Sequence, residues 1–169
     1  MPGGFNMKKI LGYLVLSLGL LLGLNAATSN TVQADTVSPL PNDTYDFAVT
    51  TTSNLLDGYG NQLPTTVQAG TDWKVFGEFN HSDDTFFRVA PEAFINAKNG
   101  YLYQPMSQNV RVYDNEIARL YTNKGELLGQ RALGKGTLWY SDRMIIVDKM
   151  TYYRVSTSEW ASIGNVVPE

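Results

Sequence analysis

The chain repeats itself at a constant offset of 66 residues. The motif Gly-Thr-x-Trp occurs at 70–73 and 136–139, an aromatic pair followed by Arg-Val at 86–89 and 152–155, and a further large aromatic at 94 and 160. One offset that holds across a glycine, a tryptophan, an aromatic pair and an arginine is hard to obtain by chance. The pattern therefore predicts a tandem of two related units.

The repeat places the two units at 45–103 and 110–169, joined by a linker at 104–109 that contains Pro105 and several amide side chains. The segment Tyr101-Leu102-Tyr103 is assigned to the first unit as its last strand, although it could instead belong to a linker starting at Gly100. Units this small bury a modest share of their surface, so we expect the two to pack against each other. The chain has no cysteine, which excludes disulfides and thiolate chemistry.

From Asp46 onward, apolar residues alternate with polar ones, and Thr, Tyr, Val, Phe and Trp are frequent, as is typical of short strands. Turn-forming clusters occur at equivalent places, 57–61 and 123–126. Neither unit has a helical pattern of ten or more residues. The prediction is an all-β protein with two tandem small β-barrels or sandwiches of the SH3-like kind.

The N-terminus has the pattern of a secretory signal peptide, residues 1–34. Lys8 and Lys9 precede an uncharged apolar run of 15 residues, 10–24, and the small residues Val32 and Ala34 favour cleavage before Asp35. An uncleaved anchor is the alternative, but the run is shorter than the roughly 20 residues that span a bilayer. Met7 is an alternative start. The mature protein would be secreted, with a flexible lead-in at 35–44.

The period of two assigns the repeated aromatic residues to faces. The residues predicted to face the core are Trp73, Val75, Phe87, Val89, Trp139, Tyr153 and Val155. The residues predicted to face outward are Arg88, Tyr152 and Arg154.

Charge is divided unequally between the units. Residues 45–99 carry three Lys/Arg against seven Asp/Glu, whereas 110–167 carry eight against six. Clustered cations with amphipathic tyrosines can hold phosphates and sugars. The candidate polymer-binding residues are therefore Arg131, Lys135, Tyr140, Arg143, Lys149, Tyr152 and Arg154. The alternatives are an ordinary solvated surface and, for Arg88 and Arg154, structural pairing with a carboxylate.

No pattern of catalytic or metal-binding residues is evident. The single histidine, His81, lies in a polar turn with nothing to orient it, and without cysteine it cannot complete a zinc site unaided. Asp83-Asp84 lacks the spacing of a calcium loop, and the paired glycines at 58–60 and 134–136 are not followed by a phosphate-binding helix. The chain is too acidic for a nucleic-acid-binding protein. We expect no enzymatic activity and no cofactor.

Residues 121–137, YTNKGELLGQRALGKGT, and 152–160, YYRVSTSEW, resemble the C-terminal cell-wall-binding module of lactobacillal surface-layer proteins. The resemblance extends over 110–167 and, more weakly, over 45–99. It implies an all-β fold and non-covalent attachment to the Gram-positive wall through teichoic acid or a related wall polymer. This chain departs from the lysine-rich members of that family, because residues 35–169 carry 11 Lys/Arg against 16 Asp/Glu.

Two functional hypotheses follow. The favoured one is a binding protein retained on the cell wall, with a wall polymer as its partner and no contact with membrane after signal cleavage. The alternative is a structural protein of a surface layer, whose acidic first unit meets the basic second unit of another molecule or another surface-layer protein. A third possibility, an SH3-type domain serving an enzyme, lacks an enzyme in this chain.

Overall fold

The computed structural model describes residues 38, 40, 44–81 and 83–169. The predicted signal peptide 1–34 and most of the lead-in 35–44 lie outside the described residues. Ser38 forms an isolated antiparallel bridge with Glu78, and Leu40 packs against the core of the first half. None of the described residues belongs to a helix suited to crossing a membrane.

The described chain forms fourteen strands and a single 3-10 turn, Ala97–Asn99. The strands are β1 Asp46–Val49, β2 Ser53–Leu56, β3 Gln62–Val67, β4 Asp72–Lys74, β5 Gly77–His81, β6 Asp84–Ala90, β7 Ala93–Asn96, β8 Gly100–Val112, β9 Ala118–Tyr121, β10 Leu127–Leu133, β11 Leu138–Val147, β12 Met150–Arg154, β13 Trp160–Ser162 and β14 Val166–Pro168. Residues that favour strands, such as Thr, Tyr, Val and Phe, are frequent in this part of the chain and explain its strand content. The prediction of an all-β fold is confirmed.

The strands form two antiparallel sheets. One sheet has nine strands in the order β10-β9-β13-β12-β11-β8-β1-β4, with β14 also paired to β8. The other has five strands in the order β3-β2-β7-β6-β5. Both sheets run from one edge strand to another, so the prediction of closed small barrels is wrong. The physical reason is that β1 and β4, from the start of the chain, join the sheet of the second half instead of closing on β2 and β3.

The long strand β8 makes this sharing possible. It spans 13 residues, and the predicted linker 104–109 lies inside it. Its first residues pair with β1 and its last with β11 and β14. Pro105, which has no N–H to donate, lies at a register shift opposite Arg143, where a ladder bond is already interrupted. We call residues 44–103 the first half and 104–169 the second half.

The Gly-Thr-x-Trp motif makes the same turn in each half. Gly70 and Gly136 have positive φ values of 87° and 66°, a conformation that glycine adopts without strain. The threonine after each glycine accepts, at its carbonyl oxygen, a 2.9 Å hydrogen bond from the N–H of Val49 or Val112. The motif therefore joins β4 to β1 and β11 to β8.

The tryptophan of the motif is tied to the same threonine. Trp73 Nε1 donates to Thr71 Oγ1 at 3.0 Å, and Trp139 Nε1 donates to Thr137 Oγ1 at 2.8 Å. The two rings differ in burial, however. Trp73 packs against the first-half core, whereas Trp139 is 37% exposed, so the prediction that Trp139 is a core residue is wrong. Trp139 belongs to none of the hydrophobic clusters of the described residues, whereas Trp73 packs against the first-half core.

Strand pairings also recur 66 residues apart. Phe87 pairs with Ile95 as Tyr153 pairs with Ala161. The predicted core residues Val75, Phe87, Val89 and Tyr153 are buried, while Val155 is half-buried against the second-half core.

The prediction that Tyr152 faces outward is wrong. Its side chain is 8% exposed, and its ring lies 5.2 Å from that of Tyr121 on β9, two strands away in the same sheet, so side chains of the sheet itself cover the face that was predicted to be open. Tyr152 belongs to a third cluster of buried residues, with Ala48, Tyr103 and Trp160. Because Ala48 and Tyr103 come from the first half, this cluster packs the two halves together.

Candidate functional site

A cleft of about 560 Å³ opens above the third cluster, and we call it the central cleft. Its residues come from both halves: Ala48, Val49, Thr50, Gly70, Asp72, Tyr101, Asn123, Arg143, Arg154, Thr157, Ser158 and Trp160. The charged and aromatic side chains lie on β4, β8, β11, β12 and β13, and the neutral polar ones on the connecting turns. The rigid strands thus position a polar cleft at the junction of the halves.

Arg143 is the central charged group of the cleft. Its Nη1 and Nη2 donate to the two carboxylate oxygens of Asp72 at 3.1 and 3.0 Å, and its Nε donates to Asp142 at 3.2 Å. The guanidinium lies 4.0 Å above the ring centre of Tyr103. Bidentate pairing and a cation–π contact both favour arginine over lysine here. The side chain is 9% exposed, so it is held within the protein.

The Asp72–Arg143 pair also shows that the sheet curls. β4 and β11 are three positions apart in the strand order. In a flat sheet that separation would be about 14 Å, farther than an arginine side chain reaches. Arg143 nevertheless forms a bidentate salt bridge with Asp72, so the sheet must bend between β11 and β4. This bend shapes the central cleft.

Asp142 continues the chain of charges. Arg154 Nε donates to Asp142 Oδ1 at 2.7 Å, and Arg154 Nη2 donates to Asp142 Oδ2. Burial by itself raises the pKa of the Asp142 carboxyl, but the hydrogen bond from Arg154 and the charges of Arg143 and Arg154 outweigh it, and the pKa falls below its ordinary value of 3.8. Asp72, Arg143, Asp142 and Arg154 together carry no net charge.

This lowered pKa predicts a pH dependence of stability. A carboxylate with a lower pKa in the folded state stabilises the fold above its unfolded pKa, and that contribution disappears as the pH falls through the folded pKa. Asp142→Asn should lower the free energy of unfolding by about 1–2 kcal/mol at pH 7. The difference from wild type should shrink as the pH falls below the unfolded pKa of about 4 and disappear once the native carboxyl is protonated too. Urea unfolding at several pH values measures it, and a difference that is constant with pH would contradict the assignment.

Trp160 and Tyr101 form the aromatic floor. Their rings meet edge to face, with centroids 5.7 Å apart. Trp160 is 1% exposed, so it supports the floor, while Tyr101 is half-buried and presents part of its ring. Such a floor contributes apolar surface beneath polar walls, which is the composition of most small-ligand sites.

The turn that carries Asn123 is fixed by Thr122. The hydroxyl of Thr122 accepts hydrogen bonds from the N–H groups of Lys124 and Glu126, both at 3.2 Å. Asp57 accepts corresponding bonds from Tyr59 and Asn61 at 2.9 Å in the turn between β2 and β3. Asn123 is therefore held at the cleft by a rigid turn.

The sequence-predicted site residues do not form one free cationic surface. Arg143 and Arg154 are engaged by carboxylates in the central cleft, and the exposed Arg131 pairs with Glu159. Lys135 and Lys149 are exposed, with no ion pair among the described residues. Tyr140 is 59% exposed, and its hydroxyl lies 3.2 Å from that of Ser107. Tyr152 is buried. That these residues bind a polymer remains a prediction.

Sequence reasoning missed Asp72, Asp142 and the polar residues at 123, 157 and 158. Asp142 is adjacent to Arg143, which was a usable signal for an ion pair. Asp72 lies 71 residues from Arg143, and no local pattern connects them. In the described chain, no group of three or more His, Asp or Glu side chains is arranged to hold a metal ion.

Comparison with known proteins adds no argument about fold or function. No protein-family model matches the chain, and no curated protein matches it. Among solved structures, the chain is similar to "Endolysin LysPBC5 CBD", with 13% identity and a TM-score of 0.31, covering 77% of this chain and 97% of that one. At this level the likeness carries no functional argument, and function is inferred below from the sequence and the site.

Proposed function

We propose that the protein is an exported, non-catalytic binding protein that attaches non-covalently to the Gram-positive cell wall. Its two halves would be copies of one surface-layer-type unit, as the recurring Gly-Thr-x-Trp turn and strand registers support. The sequence resemblance over 110–167 suggests the wall as the partner. The polymer would be teichoic acid or a related wall polysaccharide.

The central cleft is the observation that carries the proposal. Its charges cancel within the cluster around Arg143, so the cleft does not attract a polyanion by net charge. Its walls instead offer hydroxyl and amide groups from Thr50, Asn123, Thr157 and Ser158. Neutral donors and acceptors above a partly exposed tyrosine suit the hydroxyl-rich sugar units of a wall polymer. The exposed Lys135 and Lys149 would add weak, salt-sensitive contacts to its phosphates.

Co-sedimentation with purified Gram-positive walls tests the proposal. The double variant Asn123→Ala/Thr157→Ala should lose most binding, because it removes two polar walls of the cleft. Lys135→Gln/Lys149→Gln should lose less, since each exposed ionic contact contributes about 0–1 kcal/mol. Walls with and without teichoic acid identify the polymer class. Wild-type protein that stays in solution with both preparations would refute wall attachment.

Export gives a separate prediction. If residues 1–34 are a signal peptide, the protein recovered from culture medium or from salt-washed cells should begin at Asp35. Intact-mass spectrometry measures this directly. A recovered mass that still includes residues 10–24 would indicate a membrane anchor instead.

One observation favours the alternative of a structural surface protein. On the outer face of β14, β8 and β11, Val167, Arg111 and Leu138 are in register, and Val167 and Leu138 are 39% and 47% exposed. Tyr140 lies two residues further along the same face. Exposed apolar side chains on a flat strand surface are typical of protein contacts. Concentration-dependent association in size-exclusion chromatography, abolished by Leu138→Ser, would favour this function over polymer binding.

A further inference from the structure

The first half has a groove of its own, which shares no lining residue with the central cleft. It has a volume of about 420 Å³ and is lined by Phe76, Arg88, Ala90, Pro91 and Glu92. We call it the first-half groove. None of these residues was assigned a binding role by the sequence patterns.

Three of the five groove residues have repeat equivalents that line the central cleft. Adding the repeat offset of 66 to Arg88 gives Arg154, and adding it to Pro91-Glu92 gives Thr157-Ser158. Arg154, Thr157 and Ser158 all line the central cleft. Two equivalent surface positions are thus concave, with different chemistry in each.

Phe76 gives the groove an aromatic wall. Its side chain is 55% exposed, although its backbone is fixed: its N–H donates to the carbonyl of Arg88 at 2.8 Å, and its own carbonyl accepts from Arg88 Nη2 at 3.2 Å. The residue at the equivalent position of the second half is Asp142. An exposed ring on a fixed backbone offers a flat apolar surface with little conformational freedom to lose on binding.

The guanidinium of Arg88 has N–H donors that are not used in hydrogen bonds to the described residues. A guanidinium carries five N–H donors, and within the described residues Arg88 uses its side chain only toward the Phe76 carbonyl. Arg154, at the equivalent position, is instead paired with Asp142. Arg88 can therefore donate hydrogen bonds to a ligand in the groove.

Glu92 also lines the groove and offers carboxylate oxygens as acceptors. Its φ of 54° is that of the second central residue of a two-residue turn, which Pro91 and Glu92 form between the paired residues Ala90 and Ala93. Its carboxylate lies near Gly58, with Oε2 3.7 Å from where a Cβ of that glycine would be.

We infer that the first-half groove is a second saccharide subsite, which binds one uncharged pyranose unit of the same wall polymer. Phe76 packs on the C–H face of the sugar, Arg88 donates to its oxygens and Glu92 accepts from its hydroxyls. The charges of Arg88 and Glu92 cancel, and the surrounding residues 45–99 have an excess of four acidic groups, so a phosphate is disfavoured. The inference rests on the proposed function, since linked subsites on a repeating polymer gain from effective concentration.

The test uses the chain 35–169 and purified walls that keep their polymers, at raised salt so that ionic contacts to phosphates are weakened. Phe76→Ala should weaken co-sedimentation by about fivefold or more, because one of two linked contacts is lost. Glu92→Gly should weaken it too without lowering the melting temperature, since glycine accepts the positive φ. Ile146→Ala is the matched control, because Ile146 is 59% exposed and lines neither the groove nor the central cleft. It should bind as wild type does.

Failure of the subsite differs from failure of wall attachment. If wild type binds and both groove variants bind equally well, the inference is overturned and the proposed function stands. If wild type does not bind walls, amide NMR titration with methyl glucoside and N-acetylglucosamine decides the point. Shifts at residues 76, 88 and 92 would then support a saccharide site, and their absence would overturn it.

Discussion

Replacing Arg143 with alanine should lower the free energy of unfolding by about 3 kcal/mol, the lower end of the range for breaking a buried ion pair. The change leaves the Asp72 carboxylate without its partner, leaves Asp142 paired with Arg154 alone, and removes the cation from the face of Tyr103. The loss stays at the lower end because the side chains of Asp72 and Asp142 are 40% and 32% exposed and keep part of their hydration. Arg143 was predicted from the sequence as a polymer-binding cation, and that role remains a prediction; its contacts also make it a structural clasp between β4 and β11.

Urea unfolding followed by tryptophan fluorescence measures the effect. Arg143→Lys is the matched control: it keeps the charge but loses the bidentate geometry, so it should cost about half as much. Lys149→Gln, at an exposed turn, should change stability by less than about 0.5 kcal/mol. A loss for Arg143→Ala as small as that for Lys149→Gln would contradict the clasp.

Trp160→Ala should cost about 3–5 kcal/mol, whereas Trp139→Ala should cost only about 1–2 kcal/mol. Trp160 is 1% exposed and packs edge to face on Tyr101, so its removal leaves a cavity between the halves. Trp139 is 37% exposed, so its truncation leaves a hollow that water can fill and removes part of the buried ring surface and one hydrogen bond, to Thr137. The sequence pattern alone predicted the large cost for Trp139.

The two variants control each other, because the same residue is truncated in both. Thermal unfolding followed by circular dichroism shows which of the two variants loses more stability. An equal loss for the two, or a larger one for Trp139→Ala, would contradict the burial seen here. Because a small protein is stabilised by only about 5–15 kcal/mol, Trp160→Ala is also expected to reduce the yield of folded protein.

The strand content and many inward-facing residues could be predicted, because they depend on local pattern. The alternation that placed Val75, Phe87, Val89 and Tyr153 inside was correct. It failed where a strand is covered on both faces. Phe86, adjacent to Phe87, is also buried, because it packs in a separate cluster with Phe79 and Phe94 on the other side of β6.

The site itself depended on contacts that no local pattern records. The cleft is made by the bend that brings Asp72 to Arg143 and by the turn that brings Asn123 beside Thr157. Predicting them requires knowing that β1 and β4 join the sheet of the second half. The repeat suggested two self-contained units instead, which is why cations were judged from sequence clustering rather than from their partners.

Strand β8 has a consequence for how the molecule unfolds and how it can be studied. Its residues complete ladders on both sides of residue 104, so melting either half removes hydrogen-bonding partners from the other. Calorimetry should therefore show one cooperative transition instead of two. Fragments cut at the repeat boundary would therefore each contain strands that have lost their hydrogen-bonding partner. Wall binding can therefore be assigned to one half only by point substitutions in the intact chain.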